Sequence, residues 1–247
     1  MTKSDSSTDR SERTSQRSAK GSSTPSSRPV DAATLIVVDT SQPMPRVLMG
    51  KRRNDLAFMP GKYVFPGGRV DKIDRTMPPC NDLPASEVAK LLHDMKGTPS
   101  ESRARALAMA SLRESFEEAG LLIGEPRAAL SVQDETSAAP AVEAAIAKVP
   151  KGSSWARFCA HGVMPGLNQL TFFARAITPP GRPRRFDTRF FCVDAAAICL
   201  TSDERDDELS NLHWLTLEET GALDLPGITR VILEDLADRL VDGALSR

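Results

Sequence analysis

Eight residues, RESFEEAG from Arg113 to Gly120, constrain this chain more than any other stretch. Ala, Leu, Arg and Glu dominate the run from about Ser102 to Ala119, which predicts one long helix. Gly120 is placed to end that helix in the left-handed region. On a wheel of about 100° per residue, Glu114, Glu117 and Glu118 share one face, the latter two near roughly −60° and +40° of the first. Met109, Leu112, Phe116 and Ala119 take the opposite face. Phe116 is therefore expected to face a core and the three carboxylates to turn away from it.

Charge pattern alone leaves two readings of that acidic face: a solvated surface or a cation site. Like charges three and four residues apart weaken a helix, and anions in its last turns oppose the helix dipole. Arg113 is the one local counter-charge, and the face has no lysine. A divalent cation with oxygen ligands would relieve both penalties. FPGG (Phe65 to Gly68) follows a predicted strand, and its paired glycines let the backbone come close to a ligand or a metal.

The rest of the chain frames this pair. ATLIVVD (Ala33 to Asp39) reads as a buried strand, and RVLMGKR (Arg46 to Arg52) as its hairpin partner. A short strand is expected near Tyr63 to Phe65. A Pro- and Gly-edged segment, about 75–101, carries a helical pattern at Val88, Leu91, Leu92 and Met95 and reads as an inserted helical loop. LLIG after Gly120 is a strand. Helices are expected around Ala141 to Lys148 and Ser154 to His161. LTFFARAI, RFDTRFFCVDA and NLHWLTLEE are strand-like, the last entering a helix near Glu218. A final helix, about 226–243, shows an apolar stripe of Ile228, Val231, Ile232, Leu236 and Leu240. Strands and helices without regular βα alternation predict an α+β fold, a mixed sheet with helices packed on it.

Composition sets outer limits. The 247 residues suffice for one domain with a sizeable core, here residues 31–247. Between Thr2 and Arg28 the apolar residues reduce to Ala19, so residues 1–30 are expected to be a disordered tail. Asp5, Asp9 and Glu12 argue against an organelle-targeting leader, and the tail lacks the apolar core of a secretory signal. A formal net charge of −1 offers no global attraction to nucleic acid or to an anionic membrane. Cys80, Cys159, Cys192 and Cys199 form no CxxC pair, which disfavours a disulfide framework or structural zinc and favours a reducing, cytoplasmic setting. His93, His161 and His213 lack ligand-like spacing.

The glycine turn and the acidic helix together resemble the Nudix hydrolase box, G-x5-E-x7-R-E-U-x-E-E-x-G-U, where U is bulky and aliphatic. Gly68 fits the first glycine, and Arg113, Glu114, Glu117, Glu118, Gly120 and Leu121 fit the second half. Asp74 stands where the pattern has its first Glu, and Ser115 at the first U. Between Asp74 and Arg113 lie 38 residues, Arg75 to Leu112, where the pattern has seven. The long insertion and VLMGKRR…FMPGKYVFPGG resemble the branch that includes coenzyme A diphosphatases. Its signature, L-L-T-x-R-S-x3-R-x3-G-x3-F-P-G-G, is met at Leu48, Arg52, Gly61 and Phe65 to Gly68, but not at Gly50, Arg53 and Ala57.

The resemblance implies an α/β/α sandwich and hydrolysis of a nucleoside diphosphate linked to another group. It implies Mg²⁺ or Mn²⁺ held by Glu114, Glu117 and Glu118, with a backbone carbonyl from Gly67 or Gly68. Arg113 would pair with a helix carboxylate. The general base is then either a helix glutamate or Glu208, which stands six residues before Trp214 in an acidic stretch that also reads as a solvated loop. Arg52, Gly67, Gly68 and Arg185 are the expected substrate contacts. Arg184 and Arg189 could also meet phosphates, and Phe190 or Phe191 could stack on a base, or RPRRFDTRFF is simply a half-buried strand. Coenzyme A or an acyl-CoA is the favoured substrate; ADP-ribose or a dinucleotide is the alternative, and a non-catalytic nucleotide-binding module a third. The partner expected is a nucleotide-like small molecule, with neither nucleic acid nor membrane, and a homodimer is the assembly it allows.

Overall fold

The computed structural model describes residues 28–56, 58–93, 95–130, 144, 146–241 and 244–245. Most of the tail expected over residues 1–30, and half of the helix expected around 141–148, lie outside the described residues.

A run such as VDAATLIVVD has no polar alternation because both of its faces are covered. In strand β1 (Val30–Asp39) Ala33, Leu35 and Val37 enter one core, whereas Ile36 and Val38 enter another. β1 lies at the centre of a mixed sheet. Its neighbours are β2 (Arg46–Arg52) in an antiparallel hairpin and β8 (Phe186–Asp194) in parallel. β10 (Leu209–Thr216) pairs with β2, and β7 (Thr171–Ile177) pairs with β8, giving the order β10-β2-β1-β8-β7. Two short strands fill the lower part of this sheet. β3 (Tyr63–Val64) joins β2, and β4 (Gly67–Arg69) joins β1 with Gly68 opposite Ala33. FPGG is thus a turn followed by a strand, not a turn alone.

One face of the sheet carries α1 (Ala85–His93), α2 (Glu101–Ala119) and α4 (Ser154–Ala160); a one-turn α3 (Arg127–Leu130) comes between the last two in sequence. The other carries α6 (Gly227–Arg239), which follows a one-turn α5 (Leu217–Thr220). This is the expected α/β/α sandwich. A small sheet, β6 (Val163–Pro165), β5 (Leu121–Pro126) and β9 (Ile198–Thr201), extends from the end of α2.

Three expectations are corrected in detail. The last helix stops at Arg239, and Leu240 leaves it at φ −86°, ψ 82° to pair with Leu245. Its buried face is Thr229, Ile232, Leu233 and Leu236, so Ile228 and Val231 stand exposed beside the stripe rather than in it. Phe190 and Phe191 are not free to stack on a base: each fills a different core, as alternation on a doubly covered strand requires. The inserted segment carries a helix where the helical pattern is expected, α1, and joins the core. Met77, Leu83, Leu91 and Met95 are buried in the α2-side core, and Arg105 of α2 pairs with Asp82.

Candidate functional site

The site grows from α2. Ser100 caps its start by accepting from the Arg103 N–H at 3.2 Å, and Gly120 ends it at φ 69°. Phe116 packs edge-on against Phe158 of α4, with ring centroids 5.4 Å apart. This fixes the rotation of the helix and turns Glu114, Glu117 and Glu118 to the other side, as the periodicity predicts. That other side is not open solvent. β4 lies directly over it, and Glu118 is only 2% exposed.

The glycines make the approach possible. A Cβ on Gly68 would fall 2.6 Å from Glu114 Oε2, and one on Gly67 would fall 2.6 Å from the Ala33 carbonyl oxygen. The Gly67 N–H donates to Glu118 Oε2 at 2.8 Å. Glu118 Oε1 is buried and has no hydrogen-bond partner.

Arg113 anchors the cluster. Only 5% exposed, it donates through Nε to Asp74 Oδ1 (2.9 Å) and through Nη2 to the Arg69 carbonyl (2.7 Å). Its Nη1 meets Glu117 Oε2 at 2.8 Å and Glu114 Oε1 at 2.9 Å. Asp74, 1% exposed, also accepts from Trp155 Nε1 at 2.8 Å and from the Asp71 N–H at 2.8 Å. Asp74 therefore serves as the carboxylate that seats Arg113. Asp74 stood out in the sequence only as a shortened match, and Trp155 not at all. The signal available was a tryptophan behind a helix-capping serine in SSWARF.

A second arginine links the helix to a distant loop. Arg52, at the end of β2, lies with Nη1 4.0 Å from Glu118 Oε1, and its Nη2 donates to Glu208 Oε1 at 2.8 Å. Glu208, placed just before β10, is thereby brought beside the helix glutamates, half exposed. Arg52 Nε also donates to the Phe58 carbonyl at 3.0 Å, and the Phe58 ring packs edge-on against Phe186 (5.3 Å). Arg185 stands apart from this cluster, at the entry to β8, where its Nε donates to the Thr178 carbonyl at 3.0 Å. Arg189 is buried against Asp187, with Nη1 to Oδ1 at 2.6 Å, and does not face a ligand.

Crowded carboxylates under a strand resist ionisation. Burial, with Glu117 and Asp74 adding repulsion against the pull of Arg113, pushes Glu114 up to about 7. Burial and the neighbouring Glu114 raise Glu118 well above the ordinary range. Among the described residues, no three Asp, Glu, His or Cys side chains converge on one point as a finished cage. Arg113 draws Glu114 and Glu117 toward itself, and Gly67 holds one oxygen of Glu118. The donor set still fits a hard divalent cation: all its donors are oxygens, one is a buried orphan, and Gly68 lets the backbone of β4 lie against the Glu114 carboxyl.

The chain is similar to known proteins. Acyl-coenzyme A diphosphatase NUDT19 of Homo sapiens is 29% identical over an alignment covering 59% of this chain and 47% of that protein. The chain spans about half the length of the curated relatives it matches. The crystal structure of a NUDIX hydrolase from Alicyclobacillus acidocaldarius superposes with a TM-score of 0.60 at 25% identity, covering 89% of this chain and 98% of that one. The model of the NUDT19 Nudix domain matches residues 30–223, more than half of the chain. Over that span the chain belongs to the NUDT19 Nudix domain family.

Proposed function

We propose that the protein is a divalent-metal-dependent pyrophosphohydrolase that cleaves the diphosphate of coenzyme A or an acyl-CoA. The observation that carries this reading is the orphaned, buried Oε1 of Glu118 in a carboxylate cluster short of positive charge. The similarity to an acyl-coenzyme A diphosphatase supports the substrate class.

Glu114, Glu117 and Glu118 would hold Mg²⁺ or Mn²⁺, joined by a backbone carbonyl of Gly67 or Gly68. When bound, such an ion neutralises phosphate charge and eases deprotonation of an attacking water. Arg113 sets the rotamers of Glu114 and Glu117 from below. Arg52, linking Glu118 to Glu208, is placed to meet a diphosphate oxygen with a fixed guanidinium. Arg185, reached through the Phe58–Phe186 contact, is proposed for anionic groups farther along the substrate. Glu208 is the proposed proton acceptor or further metal ligand, since its contact with Arg52 holds it beside the cluster.

Glu208→Gln keeps the shape and the Arg52 contact but loses basicity. Its turnover at saturating Mg²⁺ is expected to fall about 10²–10⁴-fold; full turnover in steady-state assays would remove Glu208 from the mechanism. Gly68→Ala drives a methyl into Glu114. We expect it to weaken Mn²⁺ binding, read by calorimetry, by at least about tenfold, with the circular dichroism unchanged. The substrate is tested on a panel of coenzyme A, acyl-CoA, ADP-ribose, NADH and diadenosine compounds. Preference for ADP-ribose or a dinucleotide would reassign the substrate while keeping the chemistry. Turnover of none of them would leave the nucleotide-binding module.

A further inference from the structure

Two adjacent residues of α4 close a ring of hydrogen bonds beneath the acidic face. Trp155 Nε1 donates to Asp74 Oδ1 at 2.8 Å, and Arg113 grips the same carboxylate through Nε and Nη2, at 2.9 and 3.1 Å. Arg113 Nη1 passes on to Glu117 Oε2 at 2.8 Å. The other oxygen of Glu117 accepts from Ser154 Oγ. The ring runs from Trp155 through Asp74, Arg113 and Glu117 back to Ser154.

The parts of this ring have little freedom. Trp155 is fully buried, and its ring lies 5.3 Å from that of Phe158, which in turn packs on Phe116. Ser153 caps α4 by accepting from the Ala156 N–H at 3.3 Å, which sets the direction of the first turn. Asp74 spends all of its acceptor capacity on Arg113, Trp155 and the Asp71 N–H, and a saturated buried carboxylate has one position. A hydroxyl donating to Glu117 fixes one oxygen's direction without cancelling the charge that a cation would use.

We propose that Trp155 and Ser154 are positioning residues for the cation site: they hold Arg113 and Glu117, and so decide which carboxylate oxygens face an incoming metal. This rests on the reading of Glu114, Glu117 and Glu118 as the cation-binding face. Both residues lie on α4, outside the glycine turn and the α2 segment that carry the resemblance.

Mn²⁺ affinity, measured without substrate by calorimetry on the full chain, is the test. Trp155→Phe keeps an aromatic ring and deletes the N–H. It is expected to weaken Mn²⁺ binding about tenfold or more, and Ser154→Ala severalfold. The double variant is expected to lose less than the two losses combined, because a ring opened once is already open. Ile232→Val, in the core on the opposite face of the sheet, is expected to lower the melting temperature and leave the affinity of the folded protein unchanged. Wild-type Mn²⁺ affinity in Trp155→Phe, or an equal loss in Ile232→Val, overturns the proposal. If Trp155→Phe does not fold, unchanged affinity in Ser154→Ala overturns it equally. A wild-type chain that binds Mn²⁺ yet cleaves none of the substrate panel ends the enzymatic reading and leaves the positioning roles standing when the variant affinities fall as expected. Wild-type protein that binds no Mn²⁺ ends both.

Discussion

Glu118→Gln is expected to lower turnover of the preferred substrate by more than about 100-fold, beyond what loss of an outer-shell partner of a metal ligand costs. The same change is expected to raise the melting temperature of the metal-free protein. Glu118 is 2% exposed, its Oε1 has no hydrogen-bond partner, and Glu114 sits close enough to raise its pKa. A neutral amide escapes that repulsion and the cost of burying a charge, while its carbonyl oxygen keeps the bond from the Gly67 N–H. Each kcal/mol recovered would show as roughly 2–4 °C in a thermal melt. Opposite movements of activity and stability at one residue are the mark of a site built at the expense of the fold. A Glu118→Gln protein that keeps its turnover, or melts lower than wild type, would show that this carboxylate is structural.

Arg113→Met is expected to have the largest effect on stability, about 3–5 kcal/mol, measured by denaturant unfolding. The guanidinium is 5% exposed and serves Asp74, Glu114, Glu117 and the Arg69 carbonyl at once. Removing it leaves Asp74, with 1% exposure, as a buried carboxylate whose remaining donors are the Trp155 and Asp71 N–H groups. Arg113→Lys returns one charge but not the planar fork, so it cannot reach Asp74 and Glu117 together. Its stability is expected to fall between those of wild type and Arg113→Met. A loss below about 1 kcal/mol in Arg113→Met would mean that Arg113 behaves as a surface arginine.

The parts of this site that could be read from the sequence are those with a period or a local spacing. Phe116 and the glutamates sort onto opposite faces of α2 because 3.6 residues per turn leaves no other arrangement, and Gly120 marks the end because only it accepts φ 69° cheaply. β1 was legible as an unbroken apolar run because both of its faces are buried. β4 was not, since glycines carry no side-chain alternation to read. The contacts that hold the site together are long in sequence: Trp155 meets Asp74 across 81 positions, and Arg52 meets Glu208 across 156. No local pattern encodes those distances. The spacing of Glu208 from Trp214 singles out one loop, and the Arg52 contact brings that loop to the helix. In the last helix the apolar residues overrun the buried face, so the wheel drew Ile228 and Val231 into a stripe that packing leaves exposed. The helical pattern of the inserted segment was legible, and Leu91 and Met95 are buried in the core that α2 also enters, because an apolar helix face beside a core is buried wherever the chain allows.

The central claim is that the Glu114, Glu117 and Glu118 face binds a divalent cation and that hydrolysis of a diphosphate depends on it. The direct measurement is a Mn²⁺ titration of the chelator-treated protein, with melting temperature and coenzyme A cleavage followed in the same samples. The expected result is no cleavage without metal, then a rise of both signals with one midpoint, as two phosphomonoester products accumulate. Cleavage that survives the chelator, or a titration that yields neither stabilisation nor products from coenzyme A and the other diphosphates, would contradict the account.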